Sequence, residues 1–484
     1  MRGTLNLVLS GEICQHFRSL KYCQSFGGVT RLTVKHYKNV KRMLDNRIIR
    51  ETTIAFIMQY WYEQLGEQVS KTIYRRLPAF KWRNFRLFFG GQLLSMSGTF
   101  MTQQLTIPWL IYDLTKSAWL LGLAGFLQFL PTLLLIPFSG VLADRWNRRD
   151  LLMLVQVVGI SVSATLTILT FLDAIDFSSL LILSVMNGML KGLDMPVRHT
   201  IVTETVDDRA DWSNAIALNS VMLSSSLVLG PAIGGILIAS VGVKYCFLYD
   251  TLSYIAAIAT LKAMRVKIKP QSLAGQSDDT WQKLREGFQY VSRMQPIRVI
   301  LIVLALQGLV GVSYIALLPV FAAEILRGDA TTMAALGTAG PIGSLFACVY
   351  LSLRSSILGL ERVMMLAQAA VGLSLISFSL SRQLWLSLLI LVLVGGCGIL
   401  QITSSNTIIQ TLVADDKRGR VMSFYALAMV GTMPFGNLLV GSLAQLMGAP
   451  SALMICGSAC ILGSMWFSFQ VSQVTRWIQR ETNS

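Results

Sequence analysis

The chain has 484 residues, of which 53% are hydrophobic and only 14% charged, and its mean hydropathy is +0.58. A water-soluble fold of this length cannot hide that apolar share in a core, so a soluble domain is excluded and lipid is the expected solvent. A net charge of +16 raises nucleic acid and acidic membrane surfaces as partners, and the placement of the charge decides between them.

Residues 1–78 differ from the rest. They hold thirteen Lys and Arg against five Asp and Glu, half of the net charge, and their longest apolar run, Ile54 to Tyr62, is too short to span a bilayer. Two readings stay open: a basic amphipathic or poorly ordered extension lying on the cytoplasmic leaflet, or a start further downstream, for example at Met58. No signal peptide is visible.

From about residue 83 onward, apolar windows of roughly 20 residues predict about twelve spanning helices. They centre near residues 98, 130, 161, 188, 226, 255, 310, 342, 371, 397, 434 and 461. Between the second and third windows, Gly140-Val-Leu-Ala-Asp144-Arg145-Trp-Asn-Arg148-Arg149 packs one acid and three bases into a short connection, which suggests a moving joint. Alternate connections share this basicity: Arg198 and Arg209, the run from Lys262 to Arg293, Arg354 and Arg362, then Lys417, Arg418 and Arg420. The other connections offer little beyond Lys116, Lys244, Arg327 and Arg382. This asymmetry is the positive-inside pattern, which puts the basic side and both termini in the cytoplasm and makes nucleic acid unnecessary as a partner.

An internal repeat is also visible. Ile201 to Arg209 aligns with Ile408 to Arg418, and Gly230-Pro231 with Gly234-Gly235 finds a counterpart in Pro434, Gly436 and Gly441. The expected organisation is therefore an all-α polytopic membrane protein of twelve transmembrane helices in two pseudo-symmetric six-helix bundles. The first bundle occupies 79–264 and the second 297–472. A cytoplasmic linker, 265–296, joins them, with Gln271 to Thr280 flexible and Trp281 to Met294 a short surface helix; 473–484 is a cytoplasmic tail.

The residues from Gly140 to Arg149 match the signature G-x-L-A-D-R-x-G-R-R of the major facilitator superfamily, with Asn147 in place of the second glycine. Closer likeness is to its branch of enterobactin exporters and other transmembrane secretion effectors, among the drug:proton antiporters. It is carried by Asn84-Phe85-Arg86, Asp194-Met-Pro196-Val-Arg198, Asn214 to Ser220, Gly230 to Gly235 and Arg418 to Ser423. The resemblance covers residues 79 to 470. It implies the fold, export as the direction and protons as the coupling ion; it does not imply the substrate.

Asp144, Arg145, Arg148 and Arg149, with Arg418 and Arg420 as the second half's counterpart, are the expected cytoplasmic gate, in which a carboxylate meets a guanidinium and a helix N-terminus. Gly230, Pro231, Gly234 and Gly235 are the expected helix pivot, resembling the antiporter motif with Ser226 where a further glycine would stand; close packing alone is the alternative. Asp194 and Arg198 share a helix face if the helix persists through Pro196, as a local pair or a functional one. Gln103, Gln128, Asn187, Asn219, Gln307, Gln401 and Asn406 are polar residues inside spans. They are expected to line a broad amphipathic pocket whose neutral wall favours uncharged or zwitterionic amphiphiles, although helix-to-helix hydrogen bonding explains single amides equally well.

Relatives commonly carry an acid beside the glycine of the first span, where this chain has Gly98-Thr99, which cannot titrate. Asp250 and Glu324 are the candidate proton carriers, against an alternative as solvated acids at the extracytoplasmic ends of spans. Cys246, Cys348, Cys397, Cys456 and Cys460 read as buried structural thiols. No metal or cofactor is expected, since histidine occurs only at positions 16, 36 and 199 and no phosphate-binding Gly-rich loop is present. The function these features predict is not enzymatic. It is export of amphipathic small molecules (drugs, antibiotics or siderophore-like metabolites) by a monomer in the bacterial inner membrane. The rivals are an importer or uniporter of the same fold and a non-transporting receptor or assembly partner.

Overall fold

The computed structural model describes residues 23–26, 29–32, 77–145, 148–264, 280–354, 356–413 and 415–483, with the backbone alone at 136–145, at 148 and at a few other positions. The chain forms two compact units, Met1–Leu77 and Pro78–Ser484. In the first, strand β1 (Cys23–Phe26) pairs antiparallel with β2 (Val29–Leu32), Cys23 opposite Leu32. The sequence reading did not foresee this ribbon. Otherwise the expectations for 1–78 lie outside the described residues, as does the linker stretch before Thr280.

The second unit is helical. Its first half holds α1 (Arg83–Met101, a wide π turn at Thr102–Thr106, then Ile107–Thr115), α2 (Ala118–Arg145), α3 (Arg148–Phe171), α4 (Phe177–Glu204), α5 (Trp212–Ser240) and α6 (Lys244–Ala263). Helix α7 (Thr280–Arg293) follows. The second half opens with α8, which begins as Gln295–Leu306 and passes through π turns at Gln307–Gly311 and Phe321–Ile325. Next come α9 (Ala330–Ser352), α10 (Leu360–Leu380) and α11 (Leu384–Leu412). Helix α12 runs as Asp415–Val430 and Met433–Met447, and α13 as Ala449–Asn483. The expected tail is thus an extension of α13, whose Val474 and Ile478 are buried with Val291 of α7.

Local chemistry sets several boundaries. Asp176 Oδ1 accepts from Ser179 N at 3.1 Å to start α4, and Asp329 Oδ1 accepts from Thr331 N and Thr332 N at 3.0 and 3.1 Å to start α9. Gly448, with φ of 87°, ends α12 in a conformation that only glycine adopts readily.

The halves repeat their packing. Within the first, α2 packs on α4, α1 on α6 and α3 on α6; within the second, α9 packs on α11, α8 on α13 and α10 on α13. Between them, α2 meets the second segment of α12 and α5 meets α9, two contacts related by the same pseudo-twofold. Large apolar side chains such as Ile236, Phe346, Leu462 and Phe469 point outward and are well exposed, which is stable only against lipid. Cys348 belongs to this outward strip, whereas Cys246, Cys456 and Cys460 are buried. Among the described residues nine helices are long and apolar enough to cross a bilayer; the remaining three spans, α1, α4 and α6, fall short because they carry the polar and charged residues taken up next.

Candidate functional site

Between the halves lies a cavity of about 440 Å³, within the range of about 300–1,000 Å³ usual for small-molecule sites. Helix α1 contributes Thr99, Phe100, Gln103 and Gln104, α2 contributes Gln128 and Phe129, and α5 contributes Asn219 and Met222. From α4 come Asn187, Lys191, Asp194 and Arg198, and from α6 Tyr254. The second half supplies Val312, Ser313, Ile315, Ala316, Val430, Met433 and Asn437.

Four of the amides expected at the cavity, Gln103, Gln128, Asn187 and Asn219, are on its wall. Gln307, Gln401 and Asn406 are not. Gln307 and Gln401 are buried inside the second bundle, where Gln307 Oε1 and both amide atoms of Gln401 find no hydrogen-bond partner among the described residues. Asn406 accepts from Gln410 one turn further along α11. Burial signals an inward-turned polar residue but does not say which interior it faces.

The wall is also not neutral, which corrects the expectation for the lining. Helix α4 persists through Pro196, so Asp194 and Arg198 are one turn apart on one face. Arg198 Nη2 donates to Asp194 Oδ2 at 2.6 Å and Nε donates to the same oxygen at 2.9 Å. Arg198 Nη1 donates to Gln92 Oε1, which fastens α4 to α1. Such a pair, mostly withdrawn from water, is held by charge-assisted bonds and costs much to break on one side only.

Asp250 lies deeper than a span end. It is 3% exposed, nearly two turns into α6, and its Oδ2 accepts from Ser163 Oγ of α3 at 3.0 Å. Its Oδ1 faces α1. A Cβ on Gly98 would stand 2.7 Å from that oxygen, so glycine there is what lets α6 bring its carboxylate against α1. The neighbouring Thr99 Oγ1 donates to Tyr254 OH at 3.0 Å, and both residues line the cavity. A carboxylate from the sixth span thus lies against the first span at Gly98.

At the end remote from the basic loops, the halves are stitched together. Tyr112 OH donates to Glu324, Ser117 Oγ donates to Gln445 Oε1 at 3.2 Å, and Trp119 N donates to the same oxygen at 3.4 Å. Gly122 and Gly441 bring α2 and α12 into backbone contact, a Cβ on Gly122 falling 2.9 Å from Gly441 Cα. Sequence reasoning missed Tyr112 and Asn437; Asn437, a lone amide between Gly436 and Gly441 in an apolar run, could have been found, whereas the Tyr112 contact has no local signal.

Of the expected pivot, Gly230 sits against the α1 backbone, its would-be Cβ 2.7 Å from Ser97 O, and Gly234 sits against Met101 and Leu105. Gly235 faces Ala334, and Pro231 faces Gly337, across the interface between halves. Of the expected gate, the side chains of Asp144, Arg145 and Arg148 lie outside the described residues. Arg149 donates from Nε to Leu261 O and from Nη2 to Lys262 O, both at 3.1 Å, and so caps the carbonyl end of α6. Arg418 and Arg420 lie in the first turns of α12, Arg418 exposed and Arg420 partly buried.

Two repeated helical bundles around a central cavity, with a belt of outward apolar side chains, define a multi-pass membrane carrier of small molecules. The profile of the family described as transmembrane secretion effector, within the major facilitator superfamily, matches residues 76–481. The chain belongs to that family, whose members are transporters and not enzymes. It is similar to the staphyloferrin A transporter of Staphylococcus aureus (strain NCTC 8325 / PS 47), 24% identical over 385 residues that cover 79% of this chain and 95% of the relative. It is also similar to the multidrug efflux pump Tap of Mycolicibacterium fortuitum, 23% identical over 356 residues, 70% and 84% of the two chains. Among solved structures, a bacterial homologue of the human lysosomal transporter Spinster, inward-facing and unoccupied, shares the fold with a TM-score of 0.61 at 13% identity, covering 82% of this chain and 97% of that one.

Proposed function

We propose that this transporter exports amphipathic small molecules from the cytoplasm by alternating access, driven by protons that bind at Asp250. The observation that carries the reading is a cavity stitched shut at the end remote from the basic loops and lined toward the basic end by Asp194, Arg198 and Asn219. By the positive-inside rule the basic end and both termini face the cytoplasm, so this state loads from within. The efflux activity named for the Tap pump supports the outward direction, and bacterial relatives support the cytoplasmic membrane as the site of action.

In this scheme Glu324, bonded to Tyr112 across the halves, is part of the outer gate, and Asp250 is the proton carrier. A buried carboxyl one helical turn from Tyr254, which lines the cavity, is placed to sense whether the cavity is occupied. Asp144, Arg145 and Arg148, with Arg418 and Arg420, latch the cytoplasmic side in the opposite state. Gly230, Pro231, Gly234 and Gly235 let α5 turn against α1 and α9.

The test is transport into inside-out proteoliposomes under an imposed pH gradient, acid inside, with a panel of fluorescent amphiphiles. Gradient-dependent accumulation is expected, and Asp250→Asn is expected to lower it by about a hundredfold while leaving binding unchanged. Movement of the same compounds without regard to the gradient would refute coupling, and binding without movement would refute transport.

A further inference from the structure

The charged wall of the cavity has an unbalanced member. Asp194 Oδ2 takes both bonds from Arg198, whose three nitrogens are spent on Asp194 and Gln92, while Oδ1 has no hydrogen-bond partner among the described residues. Lys191, one turn earlier on α4, also lines the cavity, yet among the described residues its ammonium makes no hydrogen bond and no ion pair. It rests 4.9 Å from the centre of the Phe129 ring, a cation–π contact that holds the side chain along α2 without neutralising it. Lys191, Asp194 and Arg198 together leave one positive charge. The next acid, Asp250, is engaged by Ser163 behind Tyr254 and is not on the wall. The rest of the lining is apolar or aromatic, apart from hydroxyls and uncharged amides such as Gln128 and Asn187.

An uncompensated ammonium in a pocket of low dielectric is costly unless a ligand brings the opposite charge. We propose that the cavity selects amphiphiles carrying an organic anion, a carboxylate in the first instance, with the Lys191 ammonium as the recognising group. The Phe129 face fixes the ammonium, the amides of Gln128 and Asn187 serve the polar atoms beside the anion, and the apolar wall takes the hydrophobic body. A cationic amphiphile meets repulsion at the same place. The inference deepens the export reading and rests on it for direction, but its recognition step stands on the cavity alone.

The experiment uses the full chain in lipid nanodiscs and three probes with one dodecyl body: the carboxylate, its neutral amide and its ammonium analogue. Binding is read by tryptophan fluorescence and by displacement of a labelled carboxylate. The carboxylate should bind at least about tenfold more tightly than the amide, and the ammonium weakest. Lys191→Gln should erase the preference for carboxylate over amide while leaving amide affinity in place, and Lys191→Arg should keep it. Equal affinity for the three probes on the unaltered protein, or a preference that survives Lys191→Gln, overturns the proposal. If Lys191→Gln does not fold, the three-probe ranking on the unaltered protein still decides. A carboxylate preference without gradient-driven movement sinks export and leaves recognition standing; gradient-driven export of the ammonium probe with no such preference does the reverse.

Discussion

The two halves repeat their helix packing but not their chemistry. The first bundle holds Lys191, Asp194, Arg198 and the amides at the cavity and Asp250 just behind it, and its α1, α4 and α6 are the three spans that fall short on apolar content. The second bundle presents a mostly apolar surface, with Ser313 and Asn437 the polar exceptions, and keeps Gln307, Gln368 and Gln401 inside itself. The repeat therefore kept the packing frame while the charged cavity residues and the buried acid stand on one side. A rocking carrier needs both bundles to move, yet only one to read the cargo.

The comparison is sharpest at the interior polar groups. Replacing Arg198 by Met leaves Asp194 buried without its partner, and the expected loss is about 3–5 kcal/mol, read as a large drop in thermal midpoint in detergent. Gln401→Leu in the second half removes an amide that has no partner to lose, so its stability should be unchanged or raised. Equal losses at the two sites would break the contrast between the halves. A smaller effect is expected where the halves touch: Glu324→Gln weakens a charge-assisted bond worth about 1.5–3 kcal/mol. It should shift the population toward the state open at the remote end, seen as faster labelling from outside of a cysteine placed at Phe126, which packs edge-on against Phe435.

The smallest effect belongs to a helix start in the second half. The bonds from Thr331 and Thr332 hold the Asp329 carboxyl below the usual carboxylate range. A group with a depressed folded value stabilises fully above its unfolded value, near 4, and loses that contribution as pH falls through the lower folded one. Asp329→Ala should accordingly cost about 0.5–1 kcal/mol at neutral pH, and the thermal midpoints of the two proteins should converge as pH falls below the usual carboxylate range.

The spans and the repeat could be read from the chain because both rest on patterns that lipid imposes locally, apolar length and loop charge. Sites demanded more. Asp250 reads equally as a solvated acid at the end of a span, since it abuts a long apolar run, but α6 begins at Lys244 and carries the acid inward. Gln307 and Gln401 satisfied the same rule as Gln103 and Gln128, since an amide must avoid lipid whether it turns toward a cavity or toward a neighbouring helix. Lys191 has no sequence signal of its own; its importance depends on Arg198 bonding the Asp194 carboxylate, a matter of rotamers. The Tyr112–Glu324 bond joins residues 212 positions apart, and neither sequence neighbourhood announces it.

The backbone contact of Gly122 with Gly441 acts as a smooth bearing. Two helices that meet without side chains have no knobs to withdraw from holes when they part, and little greasy area becomes wet as they separate. The work of parting the two helices at that end is correspondingly small.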